Sequence, residues 1–341
     1  NGPAGNVNYS SASGAKTYLK VLLGTSVGFQ LIAIIFVYLF AGTLDFTVGG
    51  ILSGKVSNFQ SAILLALFAF GIGKAALMPF HKWLPAAMVA PTPVSALLHA
   101  VAVVKAGVFT ILKVGVYIFG IDFLSSSGAS TWLIWAASFT LLASSLIALS
   151  KDNLKARLAY STVSQLSYIV LSAALATKLS ILGAGLHIAT HALGKITLFM
   201  CAGAIYVATH KTEISDMDGL GRVMPFTFIA FAIGAFSIIG LPPFAGIWSK
   251  WYMALGAANL ELFMVIAVYM VSSLLNVGYL MPVVARAFFK PLPQQLQASG
   301  SKSLSEAPLL CVIPLCITAL GCFVLFFFAN EVIDLLRPIV N

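Results

Sequence analysis

The stretch GIGKAALMPFHKWLPAAMVAPTPVSALLHAVAVVKAGVFTILKVG, residues 71–115, decides the fold of this chain. Two lysines, Lys74 and Lys105, stand inside otherwise apolar, helix-like sequence, and a proline-rich segment separates them. Inserting a lysine into a lipid bilayer is costly, and a helix interrupted at membrane depth exposes backbone polar groups. The stretch therefore predicts a broken membrane helix that carries a functional site.

The composition places the whole chain in the membrane. Of its 341 residues, 60% are hydrophobic and 9% are charged, whereas a soluble domain carries about 25% charged residues. The apolar runs are long and lack the alternation of a membrane barrel, which predicts an all-α polytopic protein. The net charge of +9 does not predict nucleic-acid binding, because the basic residues lie mainly in loops on one side or inside helices.

Nine segments are long enough to span a bilayer, which takes about 20 mainly apolar residues. They are 18–43, 58–78 (continuing, broken, to about 90), 93–119, 130–149, 156–175, 179–208, 223–241 (broken, resuming to about 256), 262–286 and 307–336. One set of alternate loops carries most of the Lys and Arg residues, and the positive-inside rule makes that set cytoplasmic. These residues are Lys16, Lys151, Lys155, Arg157, Lys211, Arg222, Arg286, Lys290 and Lys302. The opposite set of loops, together with the C-terminal end, carries only Lys55, Lys178 and Arg337. The start of the chain is therefore expected in the cytoplasm and its C-terminus outside.

Two interruptions in the chain resemble each other. Residues 78–83 read MPFHKW and residues 242–251 read PPFAGIWSKW, and each follows an apolar run. Matched interruptions indicate an internal repeat with a binding or conduction site at the breaks. Ordinary proline kinks are the alternative.

The ionisable residues at membrane depth are all bases. None of the ten acidic residues is predicted at mid-membrane depth, whereas six bases are: Lys74, Lys105, Lys195, His99, His187 and His191. Each such lysine costs about 2.5–3.5 kcal/mol on insertion scales. Desolvation favours the neutral lysine and a nearby carboxylate restores its charge. A carboxylate partner is therefore expected upstream of Asn1 or in another subunit.

Three of these bases recur every four residues along one predicted helix. His187, His191 and Lys195 form a stripe about 12 Å long on one helix face, which suits a water-bridged proton relay. An HxxxH metal site is less favoured, because no third ligand lies nearby in sequence. One of the two histidines could instead serve only to hydrogen-bond a neighbouring helix. We predict no metal and no cofactor.

His99 and Lys105 are six residues apart, which places them on different faces of an α-helix. Lys105 is the better candidate to line the main path, and Lys113 is expected to snorkel from the helix end. His81 and Lys82 lie in the first break, where they gate an approach path or face water. We favour water for Lys82.

Lys250 follows the second break and allows two interpretations. It is either a buried terminal member of the relay or an interfacial lysine. The flanking Trp248 and Trp251 are typical of a membrane interface.

Four blocks of the sequence resemble a known family. KAALMPFHKWLPAAMVAPTPVSALLHAVAVVKAG, LKARLAYSTVSQLSY, LHIATHALGKITLF and GLPPFAGIWSK follow one another within residues 60–290. They resemble the antiporter-like, proton-translocating membrane subunits of Mrp-type Na⁺/H⁺ antiporters, respiratory complex I and membrane-bound hydrogenases. GTLDF, GIGKAALMPFHKWLP and GIDF resemble the D-type branch of the Mrp antiporters.

The resemblance implies fourteen helices built from an inverted pair of five-helix repeats, of which this chain would hold the sixth to the fourteenth. The expected division is a loop at 1–17, the end of the first repeat at 18–119, the second repeat at 130–286, a loop at 287–306, and the last helix with its tail at 307–341. Lys74 matches the essential lysine of the seventh helix, whose glutamate partner on the fifth would precede Asn1. The remaining matches are Lys105 on the eighth helix, His187, His191 and Lys195 on the eleventh, and Lys250 on the twelfth, where some members carry Glu.

The expected function is a proton-translocating subunit, not itself an enzyme, of a multisubunit cation/proton antiporter in a bacterial inner membrane. The alternative is a proton-pumping subunit of a NADH:quinone oxidoreductase or an energy-converting hydrogenase. A stand-alone solute carrier is less favoured, because it needs a pocket of converging polar groups. The expected partners are other membrane subunits and the lipid bilayer, and no nucleic acid. Protons are the expected substrate, and whether Na⁺ is a second substrate is left open.

Overall fold

The computed structural model describes residues 11–292 and 306–340, and within these ranges the chain is all-α, without strands. This confirms the predicted fold class. The main helices are α1 (Ala12–Ala41), α2 (Asn58–Gly71), α3 (Thr92–Phe119), α4 (Thr131–Ser150), α5 (Leu154–Leu175), α6 (Lys178–Thr209), α7 (Pro225–Ile239), α8 (Gly246–Ala258), α9 (Phe263–Phe289), α10 (Leu309–Phe327) and α11 (Ala329–Leu336).

Seven of these helices are long and apolar enough to cross a membrane, namely α1, α3, α4, α5, α6, α9 and α10. The two shorter apolar helices, α2 and α7, stand where the two broken spans are predicted. Seven of the predicted spans therefore correspond to a helix of spanning length, although the last of them, predicted as 307–336, is divided into α10 and α11. The count of nine spans stays a prediction. The predicted inverted repeat stays a prediction.

One boundary is wrong. The first helix begins at Ser11, one residue before the apolar span Ala12–Ala41 that defines α1, so residues 11–17, which the hydropathy pattern assigns to a loop, are helical. The reason is that hydropathy identifies only the apolar part of a helix. The small and polar residues at 11–17 are compatible with a helix that continues beyond that apolar part. Residues 1–10 and 293–305, including Lys302, lie outside the described residues.

The first break is a built structure and not a simple kink. Ile72 leaves the helical conformation (φ −81°, ψ 61°), and a 3₁₀ turn, Gly73–Ala75, follows. The side chain of Trp83 is fully buried, and its Nε1 donates to the carbonyl of Gly73 over 2.8 Å. This bond ties the two sides of the break together and gives the Gly73 carbonyl a second donor besides the backbone N–H of Ala76, which lies 3.0 Å away.

The second break separates α7 from α8. Gly240, in the left-handed region (φ 89°), ends α7. At Gly246, the first residue of α8, a Cβ atom would lie 1.8 Å from the carbonyl oxygen of Ser237. Only glycine allows this approach. The carbonyls of the last turn of α7 are thereby brought close to the side chains of α8.

The centre of the bundle is α5. Nearly all of its residues are buried, whereas α1 and α10 are largely exposed. The sequence YSTVSQLS in the first half of α5 contains several polar residues. Among them Ser161, Ser164 and Gln165 are fully buried. Since buried hydroxyls and amides need partners, α5 is the element around which a polar interior can be assembled.

The loops predicted to share one side of the membrane contact one another. Ser215 donates to the carboxylate of Asp152 over 2.6 Å, and Arg286 pairs with Asp218 over 2.7 Å. Arg157 donates from Nε to the carbonyl of Lys151 over 2.7 Å. These contacts join the loops that follow α4 and α6 with the start of α5 and the last turn of α9. That this end faces the cytoplasm stays a prediction.

Candidate functional site

The histidine stripe of α6 faces the interior of the bundle. His187 and His191 are 2% and 1% exposed, and their rings stack with centroids 5.8 Å apart. His191 Nδ1 contacts the ammonium nitrogen of Lys105 on α3 directly. His187 Nδ1 lies 2.8 Å from the hydroxyl of Ser249 on α8. The two rings therefore connect α3 with α8 through the middle of the protein.

The third member of the stripe turns toward a different neighbour. Lys195 is fully buried, and its Nζ donates to the hydroxyl of Ser161 over 2.6 Å and to the carbonyl of Leu158 over 3.3 Å. Both acceptors belong to α5. The predicted stripe thus exists, but its three groups make contacts with three separate helices.

His99 and Lys105 both face α6, although six residues in an α-helix place two side chains on different faces. His99 is fully buried with its ring 5.5 Å from that of Phe199, while Lys105 contacts His191. The reason is a π-helical turn, Leu97–Val101, followed by a distorted residue, Ala102. A turn closed by i→i+5 bonds changes the angular register of the helix. The predicted separation onto two faces is therefore wrong.

Both nitrogens of His99 lack a hydrogen-bond partner within the part of the chain that the structure describes. The same holds for Nε2 of His187 and of His191. Buried polar atoms of this kind are normally satisfied by ordered water. The row of bases thus has free ring nitrogens to which water molecules can bind.

Lys250 points into the protein rather than to its surface. Its Nζ donates to the carbonyl of Ile239 over 2.8 Å and to the hydroxyl of Ser273 over 3.0 Å. It also lies 4.9 Å from the ring centre of Tyr168, where a cation is stabilised by the aromatic face. Of the two interpretations left open by the sequence, the geometry agrees with an internal lysine.

Hydroxyl and amide groups link the two ends of this system. Ser161 on α5 lies 2.8 Å from the hydroxyl of Tyr279 on α9, which lies 2.6 Å from the side chain of Asn276. Sequence reasoning missed Tyr279, Asn276 and Ser249. The signal for Asn276 was present, because it is an amide inside the apolar run of α9, and such groups seek partners across helices.

Lys74 differs from the other predicted bases. It lies in the 3₁₀ turn after α2, its side chain is exposed, and within the described ranges it makes no hydrogen bond or ion pair. It borders a small cavity of about 70 Å³ whose wall includes Ser26, Gln30 and Thr110. The backbone leaves the helix at Ile72 and turns this side chain outward, and the position of Lys74 at mid-membrane depth stays a prediction.

The remaining candidates lie apart from the row. Lys113 is half-buried and lies 3.9 Å from the ring centre of Phe46 in the loop after α1. Lys82 is exposed, as favoured from the sequence. His81 is half-buried with its ring 6.3 Å from that of Tyr160. None of them contacts the row of bases.

The buried bases have no buried acid beside them. All ten Asp and Glu residues are described, and none of their side chains is buried. Lys105, Lys195, His99, His187 and His191 therefore share an interior without an opposite charge. Charging several of them at once would be very costly. The row can therefore hold few protons at a time.

A family profile described as "NADH:quinone oxidoreductase/Mrp antiporter, TM" matches residues 4–276, which is more than half of the chain. The chain belongs to this family. It is an antiporter-like membrane subunit, and the resemblance of its four sequence blocks is thereby confirmed.

Curated relatives of this antiporter-like subunit are named as subunits of quinone oxidoreductases. It is 33% identical over 327 residues to NADH-quinone oxidoreductase subunit N of Desulforudis audaxviator, covering 92% of this chain and 64% of the relative. It is 38% identical over 237 residues to NAD(P)H-quinone oxidoreductase chain 5 of a Synechocystis species, covering 64% of this chain and 34% of the relative. The antiporter-like subunit as given thus spans less than two thirds of the length of these two relatives.

Solved structures share the fold. A chain of the Mrp complex from a Dietzia species superposes with a TM-score of 0.81 at 22% identity, covering 96% of this chain and 67% of that one. A chain of the membrane-bound sulfane sulfur reductase, an archaeal respiratory membrane complex, superposes with a TM-score of 0.80 at 24% identity, covering 93% and 53%. Both neighbours of the antiporter-like subunit are parts of larger membrane complexes.

Proposed function

We propose that this protein is the proton-translocating subunit of a multisubunit cation/proton antiporter that exchanges protons for Na⁺. The observation that carries the proposal is the direct contact of Lys105 with His191 inside a row of buried bases that has no buried acid. Each base takes up and releases a proton without a change of fold. A row of such groups suits proton hopping, whereas a solute carrier needs polar groups that converge on one pocket.

The proposed route follows the contacts. A proton held between Lys105 and His191 passes to His187 through water bound to the Nε2 atoms of the two rings, which have no partner in the described structure, and His187 Nδ1 faces Ser249. Ser249 precedes Lys250, which forms the far end of the row. His99 lies beside Phe199 as a side station that water can connect to Lys195.

Lys74 is proposed as the group that drives the row. The turn that carries its exposed side chain packs against Gly107 on α3. A carboxylate from residues outside this chain, or from another subunit, would hold the charge of Lys74 when close and release it when withdrawn. Movement of that charge changes the cost of a proton on Lys105, which lies two residues from Gly107.

The parent complex has one strong alternative. The names of the relatives favour a proton-pumping membrane subunit of a NADH:quinone oxidoreductase. In that case the same row would be driven by electron transfer in partner subunits, since we assign no cofactor to this chain. We place the protein in a bacterial inner membrane, with the basic loops between α4 and α5 and between α6 and α7 in the cytoplasm.

Proton flux tests the proposal. The full-length protein in its complex would be reconstituted into vesicles, and Lys105→Met and Lys195→Met would be compared with Lys178→Met. Lys178 is the first residue of the same helix as Lys195 and is not buried, so it controls for loss of a lysine. We expect both buried variants to lose proton flux and Lys178→Met to retain it.

Undiminished flux in both buried variants would overturn the proposal. A sodium gradient that drives proton flux in the reconstituted wild type would identify an antiporter. Flux that requires a quinone and a reductant would assign the chain to an oxidoreductase instead.

A further inference from the structure

The ammonium group of Lys250 has oxygen partners but no acid beside it. Its Nζ donates to the carbonyl of Ile239 over 2.8 Å and to the hydroxyl of Ser273 over 3.0 Å. Ile239 is the last residue of α7, and carbonyls at the C-terminal end of a helix carry partial negative charge. A buried ammonium group is normally paired with a carboxylate, and none of the ten acidic side chains is buried. Another group must therefore supply the remaining attraction for a charge on Lys250.

The ring of Tyr168 lies against this ammonium group. Tyr168, on α5, is fully buried, and Lys250 Nζ lies 4.9 Å from the centre of its ring. The face of an aromatic ring carries partial negative charge and attracts a cation at this distance, more strongly where water is excluded. A neutral amine carries no net charge and gains much less from the same contact. The ring therefore favours the protonated form of Lys250 over the neutral form.

The hydroxyl of Tyr168 reaches the same lysine through Ser273. Tyr168 Oη donates to the backbone carbonyl of Tyr269 over 3.1 Å and lies 3.2 Å from Ser273 Oγ. Ser273 can donate to Tyr168 Oη while its own oxygen accepts from Lys250 Nζ. In that arrangement every donor meets an acceptor, and the series ends on a carbonyl. Tyr168 thus contacts Lys250 directly through its ring and indirectly through its hydroxyl.

The position of the Tyr168 ring is fixed by its neighbours. The ring of Tyr269 on α9 lies nearly parallel to it, at an interplanar angle of 10° and with ring centres 5.2 Å apart. The hydroxyl of Tyr269 in turn lies 2.8 Å from that of Ser172, one helical turn beyond Tyr168 on α5. Turning the Tyr168 ring away from Lys250 would break this stacking and the bond of its own hydroxyl. The contact with the lysine is therefore a fixed part of the protein interior.

We propose that Tyr168 is a positioning residue that stabilises the protonated form of Lys250 where a carboxylate is absent. The inference deepens the proposed function and rests on it, because Lys250 forms the far end of the proposed row. The aromatic face attracts the cation without adding a negative charge, so the proton is held more weakly than in an ion pair and can leave again. Tyr168 itself takes up and releases no proton in this role.

The titratable groups near Lys250 come from three packed helices, and none of them is an acid. The atoms of α7 and α9 that contact Nζ are a backbone carbonyl and a serine hydroxyl, which do not titrate. A proton on a nearby histidine opposes one on Lys250, whereas the ring of Tyr168 favours it. The groups are His187 and His191 on α6, Tyr168 on α5, and Tyr269 and Tyr279 on α9.

The test separates the ring of Tyr168 from its hydroxyl. Tyr168→Leu removes both, whereas Tyr168→Phe keeps the ring. Tyr252→Leu is the matched control, because Tyr252 is a half-buried tyrosine two residues from Lys250 on α8. Among the described residues, the ammonium group of Lys250 lies over the ring of Tyr168 alone. If Tyr168→Leu does not assemble, Tyr168→Met, whose flexible side chain fills irregular space, is measured instead.

Proton flux in vesicles and thermal unfolding in detergent would be measured on the full-length complex from about pH 6 to about pH 9. We expect Tyr168→Leu to move the alkaline limb of the flux profile to lower pH by about half a unit to one unit, because a cation–π contact changes the proton affinity about threefold to tenfold. Without the ring the protonated Lys250 is less stable, so it loses its proton at a lower pH. Tyr168→Phe should keep the limb in place.

Thermal unfolding supplies a second measurement with the same sign. The loss of stability in Tyr168→Leu should be larger at the acid end of the range, where Lys250 is charged, than at the alkaline end, where it is neutral. Tyr252→Leu should lose the same stability at every pH and keep the flux profile.

A ring that only fills space would give Tyr168→Leu the behaviour of Tyr252→Leu in both assays. That result, together with loss of flux in Lys250→Met, would overturn the inference and leave the proposed function standing. Undiminished flux in Lys250→Met would also overturn the inference. Undiminished flux in Lys105→Met and Lys195→Met as well would overturn the proposed function with it.

Discussion

Replacing Gly107 with alanine should move Lys74. Gly107 lies on α3 against the 3₁₀ turn that carries Lys74, and a Cβ atom added there would lie 2.6 Å from the backbone nitrogen of Ala75 and 2.6 Å from the carbonyl carbon of Lys74. Atoms at this distance overlap. Because the obstacles are backbone atoms rather than flexible side-chain ends, the turn itself has to shift.

The magnitude follows from two opposing terms. Overpacking of a buried contact costs about 1–3 kcal/mol, and alanine in place of glycine in a helix recovers about 1 kcal/mol. The net loss of stability is therefore about 0–2 kcal/mol. Proton flux should fall by more than this small loss of stability alone would cause. The reason is that the displaced atoms belong to Lys74, the residue proposed to drive the row of bases.

Gly24→Ala on α1 supplies the control, because no atom lies within 4 Å of the Cβ position there. It should gain helix propensity without loss of flux. Both variants would be measured in the full-length complex by thermal unfolding and by proton flux in vesicles. If Gly107→Ala and Gly24→Ala behave alike in both assays, α3 does not hold Lys74 in place and the role given to that contact is wrong.

Three further substitutions test the packing around the breaks and loops. Trp83→Phe removes the buried bond to the Gly73 carbonyl and should lower the free energy of unfolding by about 0.5–1.5 kcal/mol, because that carbonyl keeps the backbone N–H of Ala76 as a donor. Trp135→Phe, at a half-exposed position, should change the thermal midpoint little. The Glu306 carboxylate accepts hydrogen bonds from Phe226 N (2.7 Å) and Thr227 Oγ1 (2.6 Å) at the start of α7. Glu306→Ala should therefore lower the free energy of unfolding by about 1–2 kcal/mol. An unchanged thermal midpoint would contradict this capping role. Asp218→Asn weakens the partly exposed pair with Arg286 and should cost at most about 1 kcal/mol, with the difference from wild type shrinking as salt is raised.

The sequence predicts where the helices lie along the chain better than it predicts which helices pack against each other. The two breaks were predictable, because prolines and glycines interrupt apolar runs, and the stripe of His187, His191 and Lys195 follows from helical periodicity alone. The contact between Lys105 and His191 was not predictable, since the two residues are 86 positions apart and periodicity does not say which helices pack together.

One error has a local cause. A π-helical turn before Ala102 brings the side chains of His99 and Lys105 against the same neighbouring helix, and no sequence rule for α-helices anticipates it. The outward direction of Lys74 was not predictable either, because it depends on the turn of the backbone at Ile72. Tyr279 escaped notice for a different reason: a tyrosine in an apolar helix is ordinary until its hydroxyl is found beside Ser161.

The burial of α5 has a consequence for biogenesis. Among the seven full-length spans α5 is the least apolar, and almost none of its surface is left to face lipid. A nascent segment with this many hydroxyl and amide groups gains little by partitioning alone into a bilayer. Only residues 151–153 separate it from the strongly apolar α4, against which it packs. We therefore expect α4 and α5 to leave the protein-conducting channel together as a helical hairpin. The apolar α4 would hold α5 in the bilayer until α6 and α9 pack around it.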